Sequence, residues 1–393
     1  MTESGNTKTQ NGSKKTMLKR DISLSFWKRA TSTSSGVRKP DATRHKQIVG
    51  LKVGSSQLAA ALVVNNGNPR LTKAARERLA DGIVVGGEVR EPDKLAAALD
   101  AFFNQHDLPR RKIRLGVGSN RVGMRVFERP EVDDPRQLAN AIRFRAHEAL
   151  PIPIEEAMLD YHVVDDGDGQ GRVVLAVTYR EVIDGLVAAC RLAKLELVGI
   201  DLEAFALLRA AVPPRPKKTR RGAARVAVTI GHDRTTVAVS DGRVCEFTRV
   251  LEFGGAKLTK AIERTVRVPE DEAERMKRSL SLTGTSTAST NAGKDDNVTK
   301  ATETVRREVQ SLARELVSTL EFYQDQPSSL SIADVTVTGG TSHLRGLDTE
   351  LEKLLGVEVG ICDPFARVGD DHEAAASGQV GSLAVAIGLG IED

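Results

Sequence analysis

Cysteines, aromatic residues and long apolar runs are all scarce in this chain of 393 residues. Its three cysteines, Cys190, Cys245 and Cys362, form no C-x-x-C pair, which excludes a disulfide framework and a cysteine-based zinc site. No apolar run approaches the roughly 20 residues that a membrane-spanning helix needs. Residues 1–10 are polar and do not resemble a secretory signal. These absences favour a protein that works in a reducing cytoplasm.

Signatures of several enzyme classes are also missing. The chain contains neither G-x-x-x-x-G-K-[ST] nor G-x-G-x-x-G, the glycine-rich loops of P-loop enzymes and of dinucleotide-binding proteins. His147-Glu148 lacks the second histidine that an H-E-x-x-H zinc site requires, and the seven histidines have no metal-ligand spacing. No Ser, His and Asp arrangement stands out. The sequence therefore carries no hydrolase or metal-enzyme signature of these kinds.

The net charge of +4 is distributed unevenly along the chain. Residues 1–46 hold eleven Lys or Arg against three Asp or Glu, a local charge of +8, so the remainder carries about −4. A nucleic-acid-binding body would need a basic face. We therefore expect no nucleic-acid partner.

Residues 1–46 are rich in Ser, Thr, Asn and Lys and are predicted to be a disordered basic tail. Within them, Leu18, Ile22 and Phe26 recur every four residues, with Trp27 beside them and cations between. This spacing is typical of a short interfacial helix, so these four residues are candidates for contact with an anionic membrane. An inert tail with a chance apolar cluster is the alternative.

A unit of strand, glycine turn, strand and hairpin occurs twice, about half a chain apart. The first copy is 48–53, Gly54-Ser55-Ser56, 58–64 and Asn66-Gly67; the second is 226–230, Gly231-His232-Asp233, 235–239 and Asp241-Gly242. Such a repeat predicts two related lobes. Glycine turns crowd backbone N–H groups into anion-binding nests, so two turns facing across a cleft would hold the phosphates of a nucleotide. Taken singly, each turn is also compatible with an ordinary hairpin.

The remaining elements alternate between helices and strands. Helices are predicted over 93–105, 134–149, 179–192, 202–208 with Asp201 as N-cap, from Pro269 onwards, 301–326 and 347–355. A strand over 335–338 runs into Gly339-Gly340-Thr341-Ser342, where paired glycines let a ligand approach the backbone closely. Two segments are expected outside the folded lobes: a basic, proline-containing linker over 213–225 and a flexible Ser/Thr-rich insertion over 279–300.

Together these motifs resemble the actin-like ATPase superfamily. The resemblance implies that ATP or ADP binds between the lobes and leaves a requirement for Mg²⁺ open. The nucleotide-binding residues that it implies are Lys52, Gly54, Ser55, Ser56, Gly231, His232, Asp233, Thr235, Gly255, Glu274, Lys277, Gly339, Gly340, Thr341 and Ser342. In this interpretation the Glu274–Lys277 pair approaches the ribose and base. The alternative is an i, i+3 ion pair on the surface.

Within that superfamily the chain is similar to the PilM family, the cytoplasmic actin-like component of type IV pilus machines and a relative of the division protein FtsA. The similarity is carried by residues 125–130, 138–161 with the phrase Glu148-Ala149-Leu150-Pro151-Ile152-Pro153, 86–89, 322–323 and 386–389. It implies an α/β, two-lobed actin-like ATPase fold with an FtsA-type inserted subdomain. The implied division is the tail (1–46), a first lobe (47–118 and 172–212), the inserted subdomain (119–171), the linker (213–225) and a second lobe (226–393), whose last helix, about 380–391, packs back on the first lobe.

The PilM resemblance implies a cytoplasmic scaffold, peripheral at the inner membrane, in type IV pilus assembly. Its implied partners are a PilN-type inner-membrane protein, whose short N-terminal peptide docks between the first lobe and the inserted subdomain, and components of the pilus platform and motor. The peptide-binding residues cannot be assigned from the sequence. One alternative is an FtsA-like division filament protein, although such proteins carry a C-terminal amphipathic anchor unlike residues 388–393.

Two departures from the family pattern concern ATP hydrolysis. Lys52 and Thr229 stand where the family usually carries acids that hold the metal. We therefore expect nucleotide binding with weak or absent ATPase activity. The alternative is an active ATPase or small-molecule kinase of the superfamily, in which another acid, Asp201 or Asp233, holds the metal.

Overall fold

The computed structural model describes residues 47–132, 134–149, 153, 156–165, 171–214, 222–283, 292–369 and 380–392. The predicted membrane-contact residues Leu18, Ile22, Phe26 and Trp27 lie outside this part, as do 215–221 of the predicted linker and 284–291 of the predicted insertion. No helix in the described ranges is both long and apolar enough to cross a membrane.

Among the described residues the strands, numbered in chain order, are β1 (Gln47–Val53), β2 (Gln57–Asn66), β3 (Asn68–Arg78), β4 (Val84–Val85), β5 (Glu88–Val89), β6 (Ile113–Val117), β7 (Val122–Glu128), β8 (Ala157–Asp165), β9 (Gly171–Tyr179), β10 (Leu197–Leu202), β11 (Ala224–Ile230), β12 (Thr235–Ser240), β13 (Cys245–Leu251), β14 (Ile332–Thr338) and β15 (Glu358–Ile361).

The α-helices in the same ranges are α1 (Pro92–Gln105), α2 (Pro135–Ala149), α3 (Arg180–Leu192), α4 (Glu203–Ala211), α5 (Gly255–Ile262), α6 (Glu270–Ser279), α7 (Ala292–Gln324), α8 (Leu347–Leu355) and α9 (Ala384–Gly390). A π-helical turn, Glu263–Arg267, follows α5, and 3₁₀ segments span Gly340–His343 and Val380–Leu383.

Two five-stranded sheets repeat the same arrangement. In the first, with order β10-β6-β1-β2-β3, β1 pairs antiparallel with β2 and parallel with β6. In the second, with order β13-β12-β11-β14-β15, β11 pairs antiparallel with β12 and parallel with β14. The two sheets therefore correspond strand for strand, and the two-lobed architecture predicted from the sequence repeat is confirmed.

Helices cover both faces of each sheet, because the central strands are apolar on both sides. In the first lobe, α1 and α3 pack on one face through buried side chains such as Leu99, Phe102 and Leu186. In the second lobe, α5, α7 and α8 cover one face through residues such as Leu258 and Leu312.

Helices α4 and α9 fill the space between the two sheets. Phe205 and Leu389 share one buried cluster with Ala227 and Ala238 of the second sheet. On its other side α9 packs on β1 and β2, closely enough that a Cβ on Gly50 would lie 2.0 Å from the Ala386 carbonyl oxygen. The C-terminal helix thus joins the first sheet to the second lobe.

A third sheet, of order β7-β9-β8, is inserted between β6 and α3 and carries α2. Ile142 and Ala146 of α2 pack on Val173 and Leu175 of β9, which forms a small separate core. This sheet lies within the first lobe in the chain, yet β9 also contacts the second lobe through ion pairs of Arg172 with Asp241 and Glu246.

Some predicted boundaries and one predicted helix cap differ from the structure. Helix α7 begins at Ala292, so residues 292–300 belong to it and not to the flexible insertion. Its first turns contain an i, i+4 ion pair of 2.6 Å between Lys300 and Asp296, which supports the helix. The Ser/Thr-rich composition had favoured a flexible segment instead. Strand β11 begins at Ala224, within the predicted linker. Asp201 lies in β10 and does not cap α4, whose N-cap is Leu202, because the carboxylate of Asp201 pairs with Arg209 instead.

Candidate functional site

The first glycine turn connects β1 to β2. Gly54 donates its backbone N–H to the carbonyl of Gln57 at 3.0 Å, which closes the turn tightly. Ser55 Oγ is buried and has no hydrogen-bond partner among the described residues. Because buried hydroxyls normally have a partner, this oxygen is suited to a polar ligand.

The second glycine turn connects β11 to β12 in the same way. Gly231 donates its N–H to the carbonyl of Arg234 at 2.9 Å. The carbonyls of Gly231 and His232 accept the N–H groups of Gly255 and Ala256, at 2.9 and 2.8 Å, so the turn is fixed to the start of α5. The hydroxyl of Thr235 is buried and donates to the carbonyl of Phe253 at 2.7 Å, which leaves that side chain in a structural role.

The third glycine segment, at the end of β14, packs against the second turn. Gly339 has a φ of 100°, and a Cβ there would lie 2.3 Å from the carbonyl oxygen of Ile230. Only glycine fits this backbone position without strain. Gly340, by contrast, is exposed and has open space around it. Thr341 Oγ1 donates to the Gly231 carbonyl at 3.4 Å, and Ser342 Oγ to the Gly339 carbonyl at 2.8 Å.

The predicted Glu274–Lys277 pair is part of a connected cluster beside these turns. Lys277 Nζ donates to Glu274 Oε2 at 2.6 Å, to Thr259 Oγ1 at 2.9 Å and to the carbonyl of Gly255 at 3.0 Å. The Lys277 side chain is 11% exposed, so this is not a freely solvated surface pair. Burial acts to raise the pKa of Glu274, but the ammonium of Lys277 and its hydrogen bonds lower this pKa to about 2. Burial lowers the pKa of Lys277, and Glu274 opposes this effect.

Lys52 is paired with a residue that the sequence did not single out. Its Nζ lies 3.5 Å from Oε2 of Glu203, at the start of α4, with side chains 16% and 2% exposed. The Glu203 carboxylate packs against the end of β6, where a Cβ on Gly118 would lie 2.8 Å from it. Glu203 Oε1 has no hydrogen-bond partner within the described part of the chain. The ammonium of Lys52 therefore already faces a carboxylate.

Residues of the second turn reach across to the first lobe. Asp233 Oδ2 accepts the backbone N–H of Gly86 at 3.0 Å, in the turn between β4 and β5. The guanidinium of Arg234 lies beside Gly87, where a Cβ would be 2.6 Å from Nη1. Asn120 Nδ2, which follows β6, donates to Glu252 Oε1 beyond β13 at 3.0 Å. These contacts hold the lobes together on one side of the turns.

A cleft of about 720 Å³ opens between the lobes on the side of β3 and α6. This volume suits a ligand of nucleotide size. Its walls include three predicted site residues, Ser56, His232 and Glu274. The other lining residues are Gln57, Thr72, Lys73, Ala74, Ala75, Arg76, Glu77, Arg78, Asp81, His106, Thr259, Glu270, Asp271, Arg278 and Leu383. Lys52 and the segment from Gly339 to Ser342 are not among its lining residues.

Each acid around the turns already has a partner, although Asp201 Oδ1 and Glu203 Oε1 are buried without a hydrogen-bond partner among the described residues. Mg²⁺ in nucleotide sites relies on one or two carboxylates besides water and phosphate. Asp201 pairs with Arg209, Asp233 accepts from Gly86, and Glu203 has the Lys52 ammonium beside it. Within the described ranges no group of three His, Cys, Asp or Glu side chains could hold a metal ion.

Three charged residues of this region were not predicted: Glu203, Arg234 and Glu252. Glu203 lies between a strand and an apolar helix. A buried carboxylate there would have indicated a site residue, but its burial cannot be predicted from the local sequence. Arg234 directly follows the predicted turn Gly231-His232-Asp233, so extending that motif by one residue would have included it. Nothing in the local sequence points to Glu252.

Comparisons with known proteins agree with this architecture. Residues 50–393 match the family described as Type IV pilus assembly protein PilM. The cell division protein FtsA of Bacillus subtilis (strain 168) is 22% identical over 316 residues, which cover 71% of this chain and 70% of that protein.

Two solved structures extend the comparison to the fold. A PilM–PilN type IV pilus biogenesis complex aligns with a TM-score of 0.70 and 28% identity, covering 87% of this chain and 97% of the matched chain. The ethanolamine utilization protein EutJ from Carboxydothermus hydrogenoformans aligns with a TM-score of 0.50 and 16% identity, covering 87% and 88%. These likenesses confirm the predicted α/β, two-lobed actin-like ATPase fold with its inserted subdomain.

Proposed function

Since the chain belongs to the PilM family of type IV pilus assembly proteins, we propose that it is a nucleotide-binding scaffold that docks the N-terminal peptide of a PilN-type inner-membrane protein. The observation that carries this proposal is the alignment of 87% of the chain with the PilM–PilN complex at a TM-score of 0.70. The family match also favours pilus assembly over the alternative of an FtsA-like division filament.

The groove between the first lobe and the inserted sheet is the proposed docking place. Arg121, just before β7, contacts Glu88 Oε1 at 3.3 Å and also pairs with Glu181 of α3. Its guanidinium lies 3.9 Å from the centre of the Tyr179 ring, at the end of β9. Arg121 thus links the first lobe to the inserted sheet at the proposed docking place.

Binding of a synthetic peptide tests the docking proposal. A fluorescently labelled N-terminal peptide of the PilN-type protein from the same organism should bind saturably, and a scrambled peptide should not. Arg121→Ala should weaken binding about tenfold, because the groove walls lose their link. Arg225→Ala, on the second lobe, serves as the control. Equal binding of the native and scrambled peptides would contradict the function, and equal effects of the two variants would contradict the docking place.

The interlobe cleft is the proposed site for ATP or ADP. The paired glycine turns and the buried Ser55 hydroxyl support it, and the family resemblance extends the proposed site to the open space beside Gly340, outside the cleft lining, for the ribose or base. Calorimetric titration with ATP and ADP tests the proposal. Absence of binding at millimolar nucleotide would contradict it.

We propose that hydrolysis is very slow, because no carboxylate stands at position 52 or 229. Lys52 pairs with Glu203, and Thr229 is buried in β11 opposite Thr338. Phosphate release should be near background in the wild type, with and without Mg²⁺. The double variant Lys52→Asp, Thr229→Asp is the comparison. Mg²⁺-dependent turnover by the wild type that is no slower than that of the double variant would instead favour an active ATPase or kinase.

A peripheral position at the cytoplasmic side of the inner membrane follows from docking to a membrane protein, and pilus platform and motor components would then be close by. The basic segment 1–46 adds a proposed contact with anionic lipid, at about 1 kcal/mol per cation near the surface. Liposomes containing anionic lipid should sediment more of the full chain than of a chain starting at Lys46. Equal sedimentation would remove the membrane role of this segment.

A further inference from the structure

The two most exposed large hydrophobic side chains among the described residues are both phenylalanines. Phe144, on α2, is 67% exposed, and Phe322, near the end of α7, is 58% exposed. A single exposed apolar side chain is common on protein surfaces and does not by itself indicate a contact. The charges around each ring therefore decide what it can bind.

The solvent face of α2 is basic around Phe144. Arg143 and Arg145 flank this residue in the sequence, and Arg136 lies two turns earlier on the helix. All three arginines are exposed, and none forms an ion pair with another described residue. Asp134, the acid that precedes the helix, already accepts backbone N–H groups of its first turn. We call the exposed surface of Arg136, Arg143, Phe144 and Arg145 the basic face.

The solvent face at the end of α7 is acidic around Phe322. Glu315, Phe322 and Asp325 follow one another at i, i+7 and i+10, so they share one side of the helix, and Glu321 directly precedes the ring. The three acids are exposed, and none forms an ion pair within the described part of the chain. Arg314 is the exposed cation of this stretch, which leaves a net charge of −2. We call this surface the acidic face.

The basic and acidic faces lie on opposite sides of the molecule. Val173 of β9 packs under α2, whereas the next residue, Val174, packs with α4 on the other side of the inserted sheet. Ala227 of β11 belongs to the same cluster as α4, whereas Val226 packs with α7 on the other side of the second sheet. The layers therefore follow in the order α2, inserted sheet, α4, second sheet and α7. The two faces occupy the outermost layers and cannot meet within one chain.

We propose that the basic face of one copy of this chain docks on the acidic face of a second copy, with the Phe144 ring beside the Phe322 ring. A second copy is the occupant because each face supplies the charge that the other lacks, and both rings leave water on contact. Docking of one face on its own equivalent would instead oppose like charges. The contact is heterologous, so it builds a ring or an open row of copies. This inference goes beyond the proposed peptide docking and nucleotide binding and depends on neither.

Sedimentation velocity on the full chain, at about 1 to 100 µM, tests the contact. The average mass of the wild type should rise with concentration, and it should rise less when the salt is increased from about 0.05 to about 0.5 M, because salt screens the charges. Phe144→Ala and Glu321→Lys should each weaken self-association at least about tenfold. Both side chains are exposed, so both variants should fold. Leu192→Ala, which truncates a 54% exposed side chain on α3, is the matched control and should behave as wild type.

A mixture of the two variants tests the head-to-tail arrangement. Phe144→Ala keeps its acidic face and Glu321→Lys keeps its basic face, so the mixture should form a complex of one copy of each. A mixture that forms no complex would overturn the arrangement, and a wild type that stays monomeric throughout this range would overturn the proposal.

Unchanged self-association in Phe144→Ala would also overturn the proposal, as expected if the acidic face binds the basic segment 1–46 instead. None of these results decides nucleotide or peptide binding, because the titrations described above measure those on the single chain.

Discussion

The backbone N–H of Gly86 donates to Asp233 Oδ2 at 3.0 Å, and this hydrogen bond joins the turn between β4 and β5 to the second glycine turn of the opposite lobe. The turn at Asp233 is also tied to α5, because His232 accepts the N–H of Ala256. A displacement of the second turn would therefore strain hydrogen bonds to both lobes. The hydrogen bond therefore ties the second glycine turn to the first lobe as well as to α5.

Asp233→Ala should loosen this interlobe contact. The variant loses a hydrogen bond to a charged acceptor, so the free energy of local opening should fall by about 1–2 kcal/mol. Amide hydrogen exchange at Gly86 and Gly87 should accelerate accordingly, about five- to thirtyfold. Asp233→Asn retains an acceptor oxygen and should show a smaller effect. Unchanged exchange in Asp233→Ala would mean that the contact does not hold the lobes.

Substitution of two adjacent glycines should separate folding from nucleotide binding. Gly339→Ala should destabilise the chain by about 3 kcal/mol, because a residue with a φ of 100° is strained and its Cβ meets the Ile230 carbonyl oxygen. Gly340→Leu should cost less than about 0.5 kcal/mol, since that position is open and exposed. Urea unfolding measures both costs.

The same pair tests where the nucleotide lies. Gly340→Leu should weaken ATP binding at least tenfold, because its side chain occupies the space proposed for the ribose or base. If Gly340→Leu binds ATP normally, the third glycine segment is not part of the site. A stable Gly339→Ala variant would instead contradict the backbone geometry.

Apolar patterns and glycine turns were sufficient to predict most helices and the strands β1, β2, β11, β12 and β14, whereas other strands of the two sheets, such as β3 and β10, were not predicted. Helix α8 has the predicted bounds Leu347–Leu355, and β14 ends at the predicted Gly339-Gly340. These features are local, because the spacing of apolar residues or the presence of a glycine can be recognised within a short segment of sequence. The start of α7 was missed because polar residues dominate its first turns.

The side-chain partners at the site could not be predicted. Lys52 meets Glu203 only because β1 and α4 are brought together by folding, and residues far apart in the chain leave no spacing pattern. Asp201 was interpreted as a helix cap because aspartate before an apolar run is typical of caps, yet its partner Arg209 lies on the helix itself. Sequence patterns located the turns, whereas tertiary packing decides which charges face one another.

Glu274 should make stability depend on pH in the acidic range. Its pKa is lowered to about 2 in the folded chain from 4.5, so its contribution is complete above about pH 4.5 and is lost as the pH falls towards 2. The contribution should be about 1 kcal/mol, because the side chain is 33% exposed and solvent screens the pair. Glu274→Gln should therefore be less stable than wild type at pH 6 and nearly equal at pH 2.

Urea unfolding at the two pH values measures this difference. Asp271→Asn, an exposed acid on the same helix, is the matched control and should lose little stability at pH 6. Equal pH dependence of Glu274→Gln and wild type would contradict the assigned role of the Lys277 ammonium.

A buried charged network connects the inserted sheet with the second lobe. Arg172 of β9 donates to Asp241 Oδ2 at 2.9 Å and to Glu246 Oε1 at 2.7 Å. Tyr323, near the end of α7, donates to Glu246 Oε2 at 2.8 Å and accepts the N–H of Leu330 at 3.1 Å. The backbone N–H groups of the hairpin after Asp241 and the Arg172 guanidinium hold the pKa of Asp241 below its usual value, against the opposing effect of burial.

Arg172→Met should therefore destabilise the chain by about 3–5 kcal/mol, because two buried carboxylates lose a cationic partner while the apolar stem is kept. Tyr323→Phe removes a single hydroxyl and keeps the ring, so it should cost about 1–3 kcal/mol. Arg225→Met removes a surface pair with Asp334, 3.3 Å long and 41% exposed at Arg225, and should cost less than about 1 kcal/mol. Urea denaturation at pH 7 gives all three values. A cost of Arg172→Met no larger than that of Arg225→Met would mean that the network does not fasten the inserted sheet, since an exposed pair would then stabilise the fold as much as a buried one.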